Sequence, residues 1–180
     1  MTSLTTSRRG WLAAAVGFGF AGLGAGLVWR TSQRQSHALS AAEDRFWQQQ
    51  FARLDGTTLA TTALKGKPLV LNFWATWCPP CVEELPLLNA FFNENSTKGW
   101  QVLGLAVDQA APVKRFLAQS PLAFPVALAG FSGIELSKTL GNLSGGLPFT
   151  VVFGAEGTVL HRKMGKLTPD DLRAWTRLPA

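Results

Sequence analysis

The sequence predicts an α/β domain: a central mixed sheet with helices on both faces and an N-terminal hairpin extension. Three observations predict it. Leu69 to Trp74 is a continuous apolar run, as expected of a central strand buried on both faces. From there the elements follow one another as βαβα and then ββα, which joins a parallel half to an antiparallel half. Two late segments, Phe149 to Phe153 and Thr158 to Met164, meet at Glu156-Gly157 and read as adjacent antiparallel strands.

The elements follow in order. Residues 1–30 read as a signal or membrane anchor, 31–50 as a polar linker running into a short helix, and 51–180 as the domain. Phe51 to Thr62 reads as a hairpin turning at Asp55-Gly56. After the apolar strand comes a helix to about Asn95. Pro79 or Pro80 stands in its first turn, where a missing N–H costs least. Val82, Leu85, Leu88, Phe91 and Phe92 form its inner side. Val102 to Val107 is a strand ending at Asp108. Pro112 to Gln119 is a helix, Phe124 to Leu128 is extended, and Ile134 to Leu140 is a short helix. Thr168-Pro169-Asp170-Asp171 opens the last helix, with Thr168 as N-cap and acids in the first turn.

The N-terminal segment sets the compartment. No charge lies between Arg9 and Arg30, leaving the 20 residues Gly10 to Trp29. That is enough to cross a bilayer at about 1.5 Å per residue. Trp11 and Trp29 stand at its ends, where amphipathic rings favour the interface. Its six glycines weaken a helix in water but are tolerated in lipid. The span exceeds the core of a typical signal peptide, which favours a retained anchor. Ser36-His37-Ala38 and Ser40-Ala41-Ala42 both resemble cleavage sites, which leaves a cleaved periplasmic form as the alternative. Ser7-Arg8-Arg9 resembles a twin-arginine signal. Every version places the domain outside the cytoplasm, anchored in the inner membrane facing the periplasm or free within it.

The net charge of +6 comes largely from the arginines flanking this segment. From Ala41 onward, 13 basic and 11 acidic residues nearly balance. With no basic stripe, nucleic-acid binding is not expected.

The only two cysteines, Cys78 and Cys81, stand in Trp77-Cys78-Pro79-Pro80-Cys81, at the junction of the apolar strand and the helix. A bond between them closes so short a loop that it constrains the unfolded chain little, so a catalytic pair is the better reading. A zinc site usually needs four ligands; the chain has two Cys and two His, with His37 beside the N-terminal segment. Neither a metal nor another cofactor is expected.

Leu71-Asn72-Phe73-Trp74-Ala75-Thr76-Trp77-Cys78-Pro79-Pro80-Cys81 resembles the active-site strand and turn of the thioredoxin superfamily, most of all its extracytoplasmic TlpA/ResA-like thiol–disulfide oxidoreductases. Glu84 and Pro86 follow at that family's spacing, and Gly146-Leu147-Pro148-Phe149-Thr150 resembles its cis-proline loop. The resemblance covers about Phe51 to Leu178 and implies a thioredoxin-like fold. It implies a redox-active Cys78–Cys81 disulfide, with Cys78 as nucleophile and Cys81 as resolving thiol. Pro148 in cis would set the Leu147 backbone beside the sulfurs, open to an extended client. Trp77 would flank the site. Glu84 is expected as an acid–base group, against the plainer reading of a solvated helix acid. Asn72 holds the place of the buried aspartate of cytoplasmic thioredoxins. Phe149 replaces a smaller or polar residue and is expected to shape partner choice. Asp108 reads as a strand-end residue and His161 as a surface histidine.

Direction follows from the spacer. Pro79 and Pro80 lack N–H groups that could stabilise a Cys78 thiolate, and no His or Lys stands between the cysteines. Both features favour the disulfide, hence a reductant. The expected partners are protein disulfides, with apocytochrome c or a metal-site assembly protein as client, and a membrane thiol reductase as electron donor. A disulfide oxidase or isomerase is the alternative within the same chemistry. A copper-site assembly protein is another, with His161 as the domain's only distal histidine. A peroxidase needs a threonine three residues before its cysteine, where Cys78 has Ala75.

Overall fold

The computed structural model describes residues 41–178. The expected membrane segment, residues 10–29, lies outside the described residues. Among the described residues no helix is long and apolar enough to cross a membrane.

Seven strands form one sheet in the order β2-β1-β5-β4-β3-β6-β7. They are β1 (Gln50–Ala52), β2 (Thr58–Ala60), β3 (Leu69–Trp74), β4 (Gln101–Ala106), β5 (Val126–Leu128), β6 (Phe149–Phe153) and β7 (Val159–Met164). The helices are α1 (residues 41–46), α2 (Pro79–Asn95), α3 (Ala110–Gln119), α4 (Gly133–Thr139) and α5 (Pro169–Trp175). β3, β4 and β5 run parallel, while β6 and β7 are antiparallel, so the sheet is mixed as the element order implied. The β1–β2 hairpin turns at Gly56, whose φ of +83° suits glycine, and β1 joins the sheet beside β5.

The strand period of two divides the core. Val70, Trp74, Val102, Ala106 and Val152 face one side, packed with Leu85, Leu88 and Phe91 of α2, Val113 of α3, and Leu172 and Trp175 of α5. Leu69, Leu71, Phe73, Leu103, Leu105, Phe149, Val151 and Phe153 face the other, with Phe46 of α1 and partly buried Ile134 and Leu136 of α4. β3 is buried at all six positions because helices cover both faces. α5 carries the expected cap: Thr168 accepts from Asp171 N, and Asp171 accepts from Thr168 N at 2.9 Å.

The domain begins earlier than the sequence indicates. Residues 31–50 read as linker, yet Phe46 and Trp47 are buried. Phe46 stacks on Phe153 at 5.0 Å between centroids. Trp47 Nε1 donates to the Gly157 carbonyl at 2.6 Å, pinning α1 to the β6–β7 turn. A Cβ at Gly157 would lie 2.9 Å from that same nitrogen.

Candidate active site

Parallel pairing leaves the C-terminal ends of β3, β4 and β5 at one end of the sheet, where the chain leaves β3 for Ala75-Thr76-Trp77 and enters α2. Cys78 is the extended N-cap of α2, with Pro79 and Pro80 in the first turn. Cys78 and Cys81 are joined as a disulfide, their Cα atoms 5.3 Å apart. Both are almost fully buried, while Trp77 beside them is 56% exposed. Of the first three helical residues, two are prolines, so of the three only Cys81 has a backbone N–H.

Glu84 does not lie on a solvated face. It is 1% exposed, three residues after Cys81 on the buried stripe of α2. Its Oε1 accepts from Asn72 Nδ2 at 2.7 Å, and its Oε2 from Leu167 N at 2.7 Å, in the β7–α5 loop. Burial pushes its carboxyl up to about 7, against the pull of the Leu167 and Asn72 hydrogen bonds and of Lys166. Glu84 can therefore hold or release a proton near neutrality, one helical turn from Cys81. Asn72 also donates to Thr150 Oγ1 at 3.0 Å, the residue opposite it on β6.

The Leu147–Pro148 peptide is cis. Pro148 is buried and Leu147 partly so. The Pro148 carbonyl accepts from Gly165 N at 2.9 Å, and the Gly146 carbonyl from Asn142 Nδ2 at 2.8 Å. Among the described residues no hydrogen bond engages the Leu147 N–H or C=O. The loop is thus tied on both sides of a residue whose backbone is unused.

Two expectations change. Phe149 does not face a partner: it is 1% exposed, with its ring 5.9 Å from Phe73 in the core, because positions 149, 151 and 153 share the inner face of β6. Asp108 is more than a strand end. Its buried side chain accepts from Thr76 N at 2.9 Å and Thr76 Oγ1 at 2.6 Å, and from Gln109 N at 2.7 Å. It thereby braces the turn before Cys78. His161 lies on β7 opposite Val152, its ring 5.9 Å from that of Trp175.

Known proteins resemble the chain in sequence and fold. Residues 40–175 match the Redoxin family. The thiol-disulfide oxidoreductase ResA of Bacillus cereus is 34% identical over 124 residues, 68% of this chain and 69% of that protein. A thioredoxin-related protein of Neisseria meningitidis serogroup B superposes with a TM-score of 0.64 at 30% identity, over 71% of this chain and 96% of the other. A putative thiol:disulfide interchange protein DsbE from Chlorobium tepidum superposes with a TM-score of 0.59 at 27% identity, over 72% and 88%. Fold, dithiol turn and relatives agree that the chain belongs to the redoxin family, as a ResA-like thiol–disulfide oxidoreductase of the thioredoxin superfamily that acts on disulfides.

Proposed function

We propose that the chain reduces protein disulfides outside the cytoplasm, tethered to the inner membrane through residues 10–29. Cys78 is the nucleophile, Cys81 the resolving thiol and Glu84 the proton partner of Cys81. The direction is carried by one observation: Pro79 and Pro80 occupy the helix positions whose N–H groups would otherwise stabilise a Cys78 thiolate. A thiolate held less well gives up its electrons more readily.

The exchange balances as follows. The Cys78 thiolate attacks one sulfur of the client disulfide, forming a mixed disulfide, and the other client sulfur leaves and takes a proton. Cys81 passes its proton to the Glu84 carboxylate and attacks the Cys78 sulfur. The second client sulfur departs as a thiol, taking the proton that Glu84 received, and the proton taken by the first client sulfur replaces, through solvent, the one Cys78 released on ionising; the Cys78–Cys81 disulfide seen here is left. The client gains two electrons and two protons, and the enzyme dithiol loses them. A membrane thiol reductase carrying electrons from the cytoplasm restores the dithiol.

Leu147 supports the binding step, since its unengaged backbone can pair with an extended client strand beside the disulfide. Trp77, exposed beside Cys78 in the chain, is read as a further contact for the client. In an oxidising compartment such a reductase serves cysteines that must stay thiols. Those of an apocytochrome c awaiting haem, or of a metal-site assembly protein, are of this kind.

A Cys81→Ala variant tests the reading. It leaves the mixed disulfide on Cys78 unresolved, so a client is expected to stay covalently bound in the cell envelope and to be released by a reductant. If no adduct forms there, or if an equal adduct forms in a Cys78→Ala variant, the assignment is wrong.

A further inference from the structure

Asn72 lies in the middle of β3, fully buried and facing α2. Both of its polar contacts use one atom: Nδ2 donates to Glu84 Oε1 at 2.7 Å and to Thr150 Oγ1 at 3.0 Å. Its Oδ1 is buried without a partner. A primary amide has two N–H donors and one carbonyl acceptor, so here both donors are spent and the acceptor is idle. An ionised Glu84 requires this orientation.

A neutral Glu84 requires the reverse. Its Oε2 accepts the Leu167 backbone N–H at 2.7 Å, a donor that cannot turn round. The proton is thereby directed to Oε1, which would set donor against donor at Asn72 Nδ2. A half-turn of the amide about Cβ–Cγ replaces Nδ2 with Oδ1. That oxygen then accepts from the Glu84 carboxyl and from the Thr150 hydroxyl, which donates as readily as it accepts.

We propose that Asn72 is the positioning residue of Glu84, its amide turning end for end as the carboxyl gains or loses its proton, so that Glu84 keeps one orientation toward Cys81 in both states. This rests on the role of Glu84 as proton partner of Cys81. The charged groups around Glu84 are otherwise engaged: Lys166 with Glu83 at 2.5 Å, and Asp171 of α5 with Lys163 at 3.1 Å. Neither Lys166 nor Asp171 hydrogen-bonds to the Glu84 carboxyl, so its direct side-chain partner is Asn72.

The test follows both groups by NMR across pH 5 to 9, in the oxidised full-length chain labelled with carbon-13 in glutamate and nitrogen-15 in asparagine. The Asn72 side-chain amide signals are expected to move with the same midpoint as the Glu84 carboxyl carbon, and to stop moving in Glu84→Gln. Asn72→Leu is expected to raise the Glu84 midpoint by about one pH unit, since a hydrogen bond is lost from both protonation states and the one to the charged carboxylate is the stronger. It should also raise, by as much, the pH dependence of reduction of a model disulfide. Amide signals that stay fixed while Glu84 titrates overturn the switch, a measurement that needs no variant to fold. An unmoved Glu84 midpoint in Asn72→Leu overturns the positioning role. If instead Glu84→Gln leaves the reaction's pH profile unchanged, the acid–base role of Glu84 itself fails, whatever the amide does.

Discussion

The Asp108 side chain takes both the N–H and the hydroxyl of Thr76, at 2.9 and 2.6 Å, and so ties the end of β4 to the turn that delivers Cys78. The tie spans 32 residues of sequence and joins neighbouring parallel strands where the sheet ends. The same side chain accepts from Gln109 N at the start of α3, so a single group fixes two chain exits. The redox turn is held from the sheet as well as by its own helix.

Asp108→Ala removes three accepted hydrogen bonds and leaves two backbone N–H groups without their partner. A loss of about 2–3 kcal/mol in urea unfolding is expected. Thr76→Val deletes only the hydroxyl contact and is expected to cost about 1 kcal/mol. Equal losses in the two variants would show that the backbone bond contributes nothing.

Glu84 gives the stability of the oxidised protein a pH dependence of unusual sign. Its carboxyl titrates near 7 in the folded chain, against 4.5 for an ordinary glutamate. Between those values the folded state holds one proton more than the unfolded state, so stability falls as pH rises and levels off above about pH 7. The loss across the window is about 3 kcal/mol, at about 1.4 kcal/mol per unit. Urea titrations between pH 4 and 9 check this. Glu84→Gln should flatten the decline, and an equally steep decline in that variant would assign it to another group.

How much was legible in the sequence depends on the range of the interaction. The buried strand, the dithiol turn, the Thr168 cap and the hairpin at Gly56 rest on neighbours within a few residues, and all are found. Glu84 was half-legible. Residues 81, 84, 85 and 88 share one helical stripe, yet an acid there is ordinarily solvated. The Asn72 amide, 12 residues before it, and the Leu167 N–H, 83 residues on, show why burial is tolerated. Phe149 was legible from strand alternation, which sets it with Val151 and Phe153, but its place after the proline points to partners instead. Phe46 and Trp47 stand in a polar stretch, and their partners Phe153 and Gly157 lie more than a hundred residues away, beyond any local pattern.

The domain start therefore carries a testable energy. Phe46→Ala empties a fully buried ring site stacked on Phe153 and is expected to cost about 3–5 kcal/mol. Gln48→Ala, two residues on and exposed, is expected to stay within about 0.5 kcal/mol of the parent. Thermal unfolding of both variants distinguishes a core segment from a linker, since a linker would leave the two alike.

The two prolines make the last prediction, on the direction of electron flow. Pro79→Ala and Pro80→Ala each return one backbone N–H to the first turn of α2. A donor reaching the Cys78 thiolate is worth about 1.5–3 kcal/mol in the reduced form and nothing comparable in the disulfide. At about 30 mV per 1.4 kcal/mol, either change should raise the reduction potential by about 30–60 mV. The Cys78 thiol pKa should fall by about one to two units. The parent potential should lie nearer the roughly −270 mV of thioredoxin than the roughly −120 mV of DsbA. Equilibration with glutathione or dithiothreitol buffers gives these potentials. A parent value near −120 mV would make the enzyme an oxidant, and unchanged potentials in both variants would show that the missing donors do not set its direction.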